Sequence, residues 1–265
     1  MKHVRGSRRS STSADTDGKP SRRATPARQG RTEGSRGTTA LPGAGAKGRR
    51  NGKSELLQQA QRVIDRLRAD YPEASCALVY KTPVQLLVAT ILSAQCTDAR
   101  VNLVTGPLFA KYPTAEALAK IPLSELERLI QSTGFFRNKA KNIKAACQAL
   151  VENYGGKVPR SLDELVALPG VGRKTANVVL GTAYGIASGV VVDTHVARVS
   201  YRLGLTREKS PEKIERDLME IVPREEWVDF SHRMIHHGRQ VCVARKPRCE
   251  KCSMQSFCPK VGVTK

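Results

Sequence analysis

The sequence predicts an all-α protein of about ten helices joined by short loops. Two observations carry this. From Ser54 onward, apolar residues recur at helical spacing almost throughout. Only "CALVY" at 76–80 and "GVVV" at 189–192 have strand character, and both are too short to build a sheet.

The elements follow in order. Leu56, Leu57, Ala60, Val63, Ile64 and Leu67 form the apolar stripe of a first helix. Thr82-Pro83 supplies a cap and a first-turn proline. The run "VQLLVATILSAQ" behind it is apolar around most of its faces, as a buried central helix is. Ser124 with Glu127, and Ser161 with Glu164, have capping-box spacing. Lys139 to Tyr154 is a further periodic stretch, stopped by Gly155-Gly156. Ser161 to Leu168 and Gly172 to roughly Ala187 read as two helices joined by the tight turn "PGVG". Asp193 opens another helical run, Ser210-Pro211 starts the next, and Trp227 to Cys242 fits a last one.

The formal net charge of +21 over 265 residues points to nucleic acid or an anionic membrane surface as partner. The uncharged stretch Thr175 to Val192 is interrupted by Asn177, Thr182, Ser188 and three glycines, so it does not read as a membrane span. The chain reads as soluble, with no secretory signal. Residues 1–53 hold fourteen of the 45 Lys and Arg, against Asp15, Asp17 and Glu33, and few large apolar side chains. Such a segment cannot bury enough surface to offset chain entropy and reads as a disordered basic tail. It fits extra phosphate contacts, a targeting peptide or a solvated appendage.

Lys174 lies in "LPGVGRKTA". A phosphate-binding P-loop needs glycine where Arg173 and Leu168 stand, and a strand before it where a helix is predicted. The dinucleotide fingerprint fails at Thr175. What remains is helix, tight turn, helix. Gly170 and Gly172 give the turn positive φ and close approach, and the second helix offers free amides and a positive dipole end. That is a helix-hairpin-helix, which grips a DNA backbone without reading bases; the plain alternative is a structural αα-turn. Asp193 is an N-cap by residue type and a candidate catalytic carboxylate, and the two roles are compatible.

Four of the seven cysteines, Cys242, Cys249, Cys252 and Cys258, form C-x6-C-x2-C-x5-C. This is a metal or cluster site of a reduced compartment, and both a 4Fe–4S cluster and tetrahedral zinc suit it. Arg245, Lys246, Arg248 and Lys251 between the ligands make a cationic surface for phosphates. Cys76, Cys96 and Cys147 are scattered. His232, His236 and His237 read as packing residues rather than metal ligands, and His195 fits either the site or the core.

"LPGVGRKTA", "VDTHVARV" and the cysteine spacing, with "ILSAQCTDARVN" and "GFFRNKAKNI", together resemble the endonuclease III family of DNA base-excision repair glycosylases. The resemblance covers Ser54 to the C-terminus. It implies a two-domain helix-hairpin-helix DNA glycosylase fold with a C-terminal 4Fe–4S loop. Residues 76–189 would form a six-helix domain containing the hairpin at about 161–187. Residues 54–75 plus 190–265 would form a discontinuous cluster domain, with DNA across the cleft between the two. The four cysteines would ligate a 4Fe–4S cluster.

Lys174 would be the nucleophile and Asp193 the essential carboxylate. An amine forms imines and a guanidinium does not, which is why lysine stands there. The helix dipole and the neighbouring Arg173 disfavour its ammonium form, while Asp193 pulls the other way. Gln95 would fill the gap opposite an extruded base. Phe135 stands where relatives often place a smaller aliphatic wedge. Gly170, Gly172, Arg173 and Lys246 would meet the DNA backbone.

The implied activity is a bifunctional N-glycosylase/AP lyase that removes oxidised pyrimidines and cuts 3′ to the abasic site by β-elimination. Its partner would be double-stranded DNA with damaged bases or abasic sites, bound by a monomer in the cytoplasm at the nucleoid; organellar or nuclear targeting by the tail stays open. An adenine-mismatch glycosylase would lack Lys174 and extend well beyond Cys258. A non-catalytic iron–sulfur DNA-binding protein would not need both Lys174 and Asp193.

Overall fold

The computed structural model describes residues 45–263, with side chains from Gly52 onward. The predicted basic tail lies outside the described residues except at its end, where the first helix begins. The described chain is all-α: eleven α-helices and three short 3-10 turns, with no strand among the described residues. "CALVY" and "GVVV" are irregular connections. Each is too short to satisfy its backbone without a neighbouring edge, and none is offered.

Helix α1 spans Gly45–Asp70 and starts earlier than its apolar stripe. Helix α2, Pro83–Leu92, is buried from Val84 to Leu92, as its all-round apolar pattern requires. Thr82 caps it by accepting from the Gln85 amide at 3.3 Å. Thr97 caps α3 (Asp98–Lys111) and Thr114 caps α4 (Ala115–Lys120) in the same way. Helix α5, Leu123–Ile130, departs from the expected capping box: its N-cap is Pro122 and Ser124 lies inside the first turn. Proline brings the backbone into the helix and leaves Ser124 no terminal amide to cap. Helix α6, Phe136–Tyr154, ends at Gly155 in the left-handed conformation, φ 57°, with the Gly156 amide returning to Leu150 O at 2.9 Å.

Helix α7, Leu162–Val166, and α8, Arg173–Tyr184, form the predicted hairpin. Ser161 occupies the N-cap of α7 but its side chain caps no amide. Helix α9 runs Thr194–Arg202, α10 Pro211–Ile221 behind its Ser210 cap, and α11 Trp227–Gln240.

The apolar faces collect into two clusters. One is built on Leu86, Leu87, Leu92, Leu108, Leu126, Ile130, Ile143, Val179 and Leu180, from α2 to α8. The other joins Ala60, Val63, Ile64 and Leu67 of α1 to Val196, Val199, Leu218, Phe230 and Met234 of α9 to α11. The first helix therefore packs with the last three, more than a hundred residues along the chain. Two glycines set close crossings at the junction. A Cβ on Gly181 of α8 would meet Val228 of α11 at 2.9 Å, and one on Gly238 of α11 would meet His195 of α9 at 2.9 Å. With α8 and α9 both held against α11, their N-termini open onto one cavity.

Candidate active site and cysteine loop

The hairpin turn is fixed by Gly170. Its φ of +74° is strained for any residue with a Cβ, and that Cβ would collide with Asn142 of α6 at 2.6 Å. Gly172 differs from the sequence expectation. Its φ is −89°, and nothing lies within 4 Å of where its Cβ would stand. Gly172 is the N-cap of α8, and α8 has no side-chain cap, whereas α2, α3, α4, α9 and α10 all have one. The chain itself does not need glycine there. The open space and the uncapped amides suit an approaching phosphate.

Lys174 follows in the first turn of α8 and is exposed. Asp193 is the N-cap of α9, its Oδ1 accepting from the His195 and Val196 amides, both at 2.8 Å. Both residues line a cavity of about 270 Å³. The N-cap reading of Asp193 therefore holds, and both capping bonds fall on Oδ1. The cavity walls mix apolar Leu78, Val178 and Ile235 with polar Thr90, Ser93, Asn177 and His232. Across it, Arg239 of α11 pairs with Asp98 of α3 at 2.7 Å. Burial lowers the His232 pKa, so this ring is neutral near pH 7.

Arg173 does not stand free beside Lys174. Its Nε donates to Glu215 Oε2 of α10 at 2.8 Å, and that bond holds the guanidinium protonated. Glu215 Oε1 accepts from Asn177 Nδ2 at 2.8 Å, and Asn177 Oδ1 accepts from Ser188 at 2.8 Å. A side chain at Gly189 would collide with Glu215 and Asn177. This network fastens the start of α8 to α10.

Gln95 is exposed, lines the same cavity, and also borders a wider opening with Cys96, His195 and Arg239. Phe135 projects with 66% of its surface exposed. Gln95, Phe135 and Lys246 have φ of 53°, 48° and 52°. Among the described residues only Lys260 joins them as a non-glycine with positive φ. Backbone strain thus falls on three positions that the sequence marks as DNA contacts. Lys246 sits in the cysteine loop and away from the cavity lining.

Cys242, Cys249, Cys252 and Cys258 line a second cavity, between the end of α11 and the C-terminal segment. None of the seven cysteines is in a disulfide. No three His, Cys, Asp or Glu side chains among the described residues converge tightly enough for a single metal ion. Four cysteines around a common void can supply the four thiolates that a 4Fe–4S cluster takes.

The surroundings fit as well. Arg202 donates to Val243 O at 2.7 Å, Ala244 O at 2.9 Å and Cys242 Sγ at 3.4 Å. Gln59 of α1 reaches Leu203 O and Phe257 O. Burial holds Tyr71 protonated, its pKa pushed up to about 12, and His237 neutral, its pKa pushed down to about 4. Tyr71 Oη lies 3.1 Å from His237 Nδ1 and Cys252 Sγ lies 3.8 Å from His237 Nε2; the tautomer with Nδ1 accepting turns Nε2–H toward the sulfur. Burial also raises the thiol pKa of Cys252 and Cys258, so loading the site displaces protons.

Sequence reasoning missed Glu215, Asn177, Arg202 and Gln59. Each sits in an ordinary amphipathic helix, and its partner is distant in the chain.

The site combines an uncapped helix-hairpin-helix, a lysine and an aspartate at two helix starts over one cavity, and a four-cysteine loop, the set expected of a base-excision repair glycosylase of the helix-hairpin-helix class. The family model "HhH-GPD superfamily base excision DNA repair protein" matches residues 88–224, and "Iron-sulfur binding domain of endonuclease III" matches residues 242–258. Endonuclease III of Synechocystis sp. is 58% identical over 202 residues, 76% of this chain and 92% of that protein. Endonuclease III of Bacillus subtilis is 50% identical over 203 residues, 76% of this chain and 92% of its own. A solved structure of a trapped covalent endonuclease III–DNA intermediate, an estranged-adenine complex, is 49% identical. It superposes with a TM-score of 0.74 over 77% of this chain and 96% of that one. The chain belongs to the endonuclease III family: it is a DNA-binding base-excision repair glycosylase with AP lyase activity, and residues 242–258 match that family's iron–sulfur domain, which carries a 4Fe–4S cluster. Among the described residues no helix is long and apolar enough to cross a membrane.

Proposed function

We propose that this chain, acting as a monomer, removes oxidised pyrimidines from duplex DNA and cuts the strand 3′ to the resulting abasic site through a Schiff base on Lys174. The observation that carries the reading is the cavity shared by Lys174 and Asp193, each fixed at the start of a different helix. The trapped covalent DNA complex of a 49% identical relative supports a covalent route.

The damaged base leaves the stack and enters the cavity, where Thr90, Ser93, Asn177 and His232 offer polar partners to its edge. Gln95 and Phe135 occupy the space it vacates. The neutral Lys174 amine attacks C1′, the N-glycosidic bond breaks, and the electron pair leaves with the base. Ring opening gives the imine. Loss of a 2′ proton then expels the 3′ phosphate, and the C3′–O bond breaks. Asp193 takes a proton from the attacking amine and offsets positive charge developing on the sugar. The uncapped amides of α8 and the cysteine-loop cations hold phosphates on either side. The cluster, when bound, supplies a rigid cationic loop rather than a reacting group.

The test is borohydride trapping on a duplex containing thymine glycol. Wild type forms a covalent adduct and nicks the strand. Lys174→Ala should bind the duplex normally and form no adduct. A normal adduct with this variant removes Lys174 as the nucleophile.

A further inference from the structure

Lys139 is the buried cation that the reaction above does not use. It lies in the first turn of α6 and is 5% exposed. Its ammonium donates to Leu92 O at 2.8 Å and to Thr133 O at 2.7 Å. Among the described residues its side chain appears in no ion pair with an acid. Burial pulls its pKa below that of an ordinary lysine. A cation stays in such a place only where fixed dipoles replace its water, and here two backbone carbonyls do so.

The two carbonyls belong to different segments. Leu92 ends α2, and its carbonyl is one of the last, unpaired acceptors of that helix. Three residues further along the chain stands Gln95, at φ 53°. Thr133 ends the 3-10 turn after α5, and two residues on stands Phe135, at φ 48°. The Lys139 amide also donates to Phe135 O at 3.1 Å. One residue thus grips the chain on both sides of Phe135 and just ahead of Gln95. Left-handed backbone at a non-glycine residue relaxes unless its flanks are held.

We infer that Lys139 is a positioning residue: its ammonium ties the end of α2 to the turn before α6 and holds Gln95 and Phe135 as one DNA-facing unit. This rests on the reading of Gln95 and Phe135 as the pair that fills the space of the extruded base. The reaction centre does not depend on the tie, because Lys174 and Asp193 are anchored through α8 and α9. Loss of the tie should therefore harm work on paired DNA and spare chemistry on DNA with no opposite strand.

The experiment compares Lys139→Met, which keeps the apolar stem, with Lys139→Arg, which keeps a cation, in the full cluster-loaded chain. One substrate is a thymine-glycol duplex with 2-aminopurine opposite the lesion, and the other is a single strand with a preformed abasic site. Lys139→Met should lose about 10- to 100-fold in kcat/KM on the duplex. It should also lose the 2-aminopurine fluorescence change on binding, and cut the abasic single strand like wild type. Lys139→Arg should recover part of the duplex activity. Gln95→Ala and Phe135→Ala serve as the control on the underlying reading and should show the same duplex-selective loss. If they show it and Lys139→Met does not, the inference fails alone. If neither they nor Lys139→Met alter duplex work, the reading of the pair fails and takes the inference with it. Equal loss by Lys139→Met on both substrates also overturns it, because the lysine would then serve the whole fold.

Discussion

Arg173 Nε lies 2.8 Å from Glu215 Oε2, so the cation next to Lys174 is bound to α10. Glu215 is buried and also accepts from Asn177, one turn along α8 from Arg173. The consequence is mechanical. The start of α8 is fixed against the second cluster by an acid, and Lys174 takes its position from that attachment.

Replacing Glu215 by Ala should therefore cost stability and activity unequally. The Arg173 arm is half-exposed and contributes little on its own. The buried Asn177 amide, left without its acceptor, brings the loss to about 1–3 kcal/mol. Denaturant midpoints would measure this. The rate of adduct trapping should fall further than stability accounts for, about tenfold or more, because Lys174 loses its alignment.

Asp193 separates cap from chemistry. Asparagine caps a helix about as well as aspartate, so Asp193→Asn should leave thermal stability and duplex binding within a few tenths of a kcal/mol. Turnover should fall about 10²- to 10⁴-fold. Asp193→Ala should lose turnover and about 1 kcal/mol of stability together. Full activity in Asp193→Asn leaves only the cap.

The two hairpin glycines should part in the opposite sense. Gly170→Ala forces a Cβ into Asn142 at positive φ, and a melting experiment should find it destabilised. Gly172→Ala meets no protein atom and should melt like wild type or slightly above. It should nevertheless weaken DNA binding at every sequence tested, since the Cβ occupies the space where a phosphate meets the α8 amides.

Cys249→Ser should remove the broad visible absorption of the 4Fe–4S cluster and loosen the loop that carries Lys246. Duplex affinity should then depend less on salt, by about 0.9 in the log–log slope for each phosphate that the loop no longer neutralises. Titrating affinity against salt for wild type and variant checks this. An unchanged slope places the loop away from the DNA.

Acid should act through His232. Its folded pKa lies below the ordinary 6.5 because burial disfavours the charged ring. The unfolded chain thus takes up this proton first, and stability falls as the pH drops from about 6.5 toward the folded value. Asp229 partly opposes the shift and His236 adds to it. His232→Asn should make the melting-temperature profile shallower over that interval, with the remaining slope coming from His237, whose pKa burial pushes down to about 4, and should leave the plateau above pH 7 in place.

Much of the site was legible because its signals are local. Gly170 at the hairpin turn, the aspartate at a helix start and the cysteine spacing are each signals spread over only a few residues, and the turn and the cap form where the residues say. Boundaries were less legible. Ser124 has a capping residue's chemistry but sits behind Pro122, which starts α5 first. Gly172 looked like a turn glycine and is an N-cap with negative φ.

The resemblance to endonuclease III supplied the roles of Lys174 and Asp193; the sequence by itself determined the helical class, most of the helices though not α3 and α4, the hairpin and the four-cysteine spacing. These follow from periodicity, capping and ligand spacing, which are short-range properties of a chain. Only the tertiary structure decided what those pieces lean on. Arg173 meets Glu215 across 42 residues, and Lys139 meets Leu92 across 47. Gln59 meets Phe257 across 198. No local pattern encodes such partners, because a buried charge or amide is satisfied by whichever group packing brings within about 3 Å. The cavity shared by Lys174 and Asp193 is of the same kind. Each residue was readable at its own helix start, and the packing of α8 and α9 against α11 made them one site.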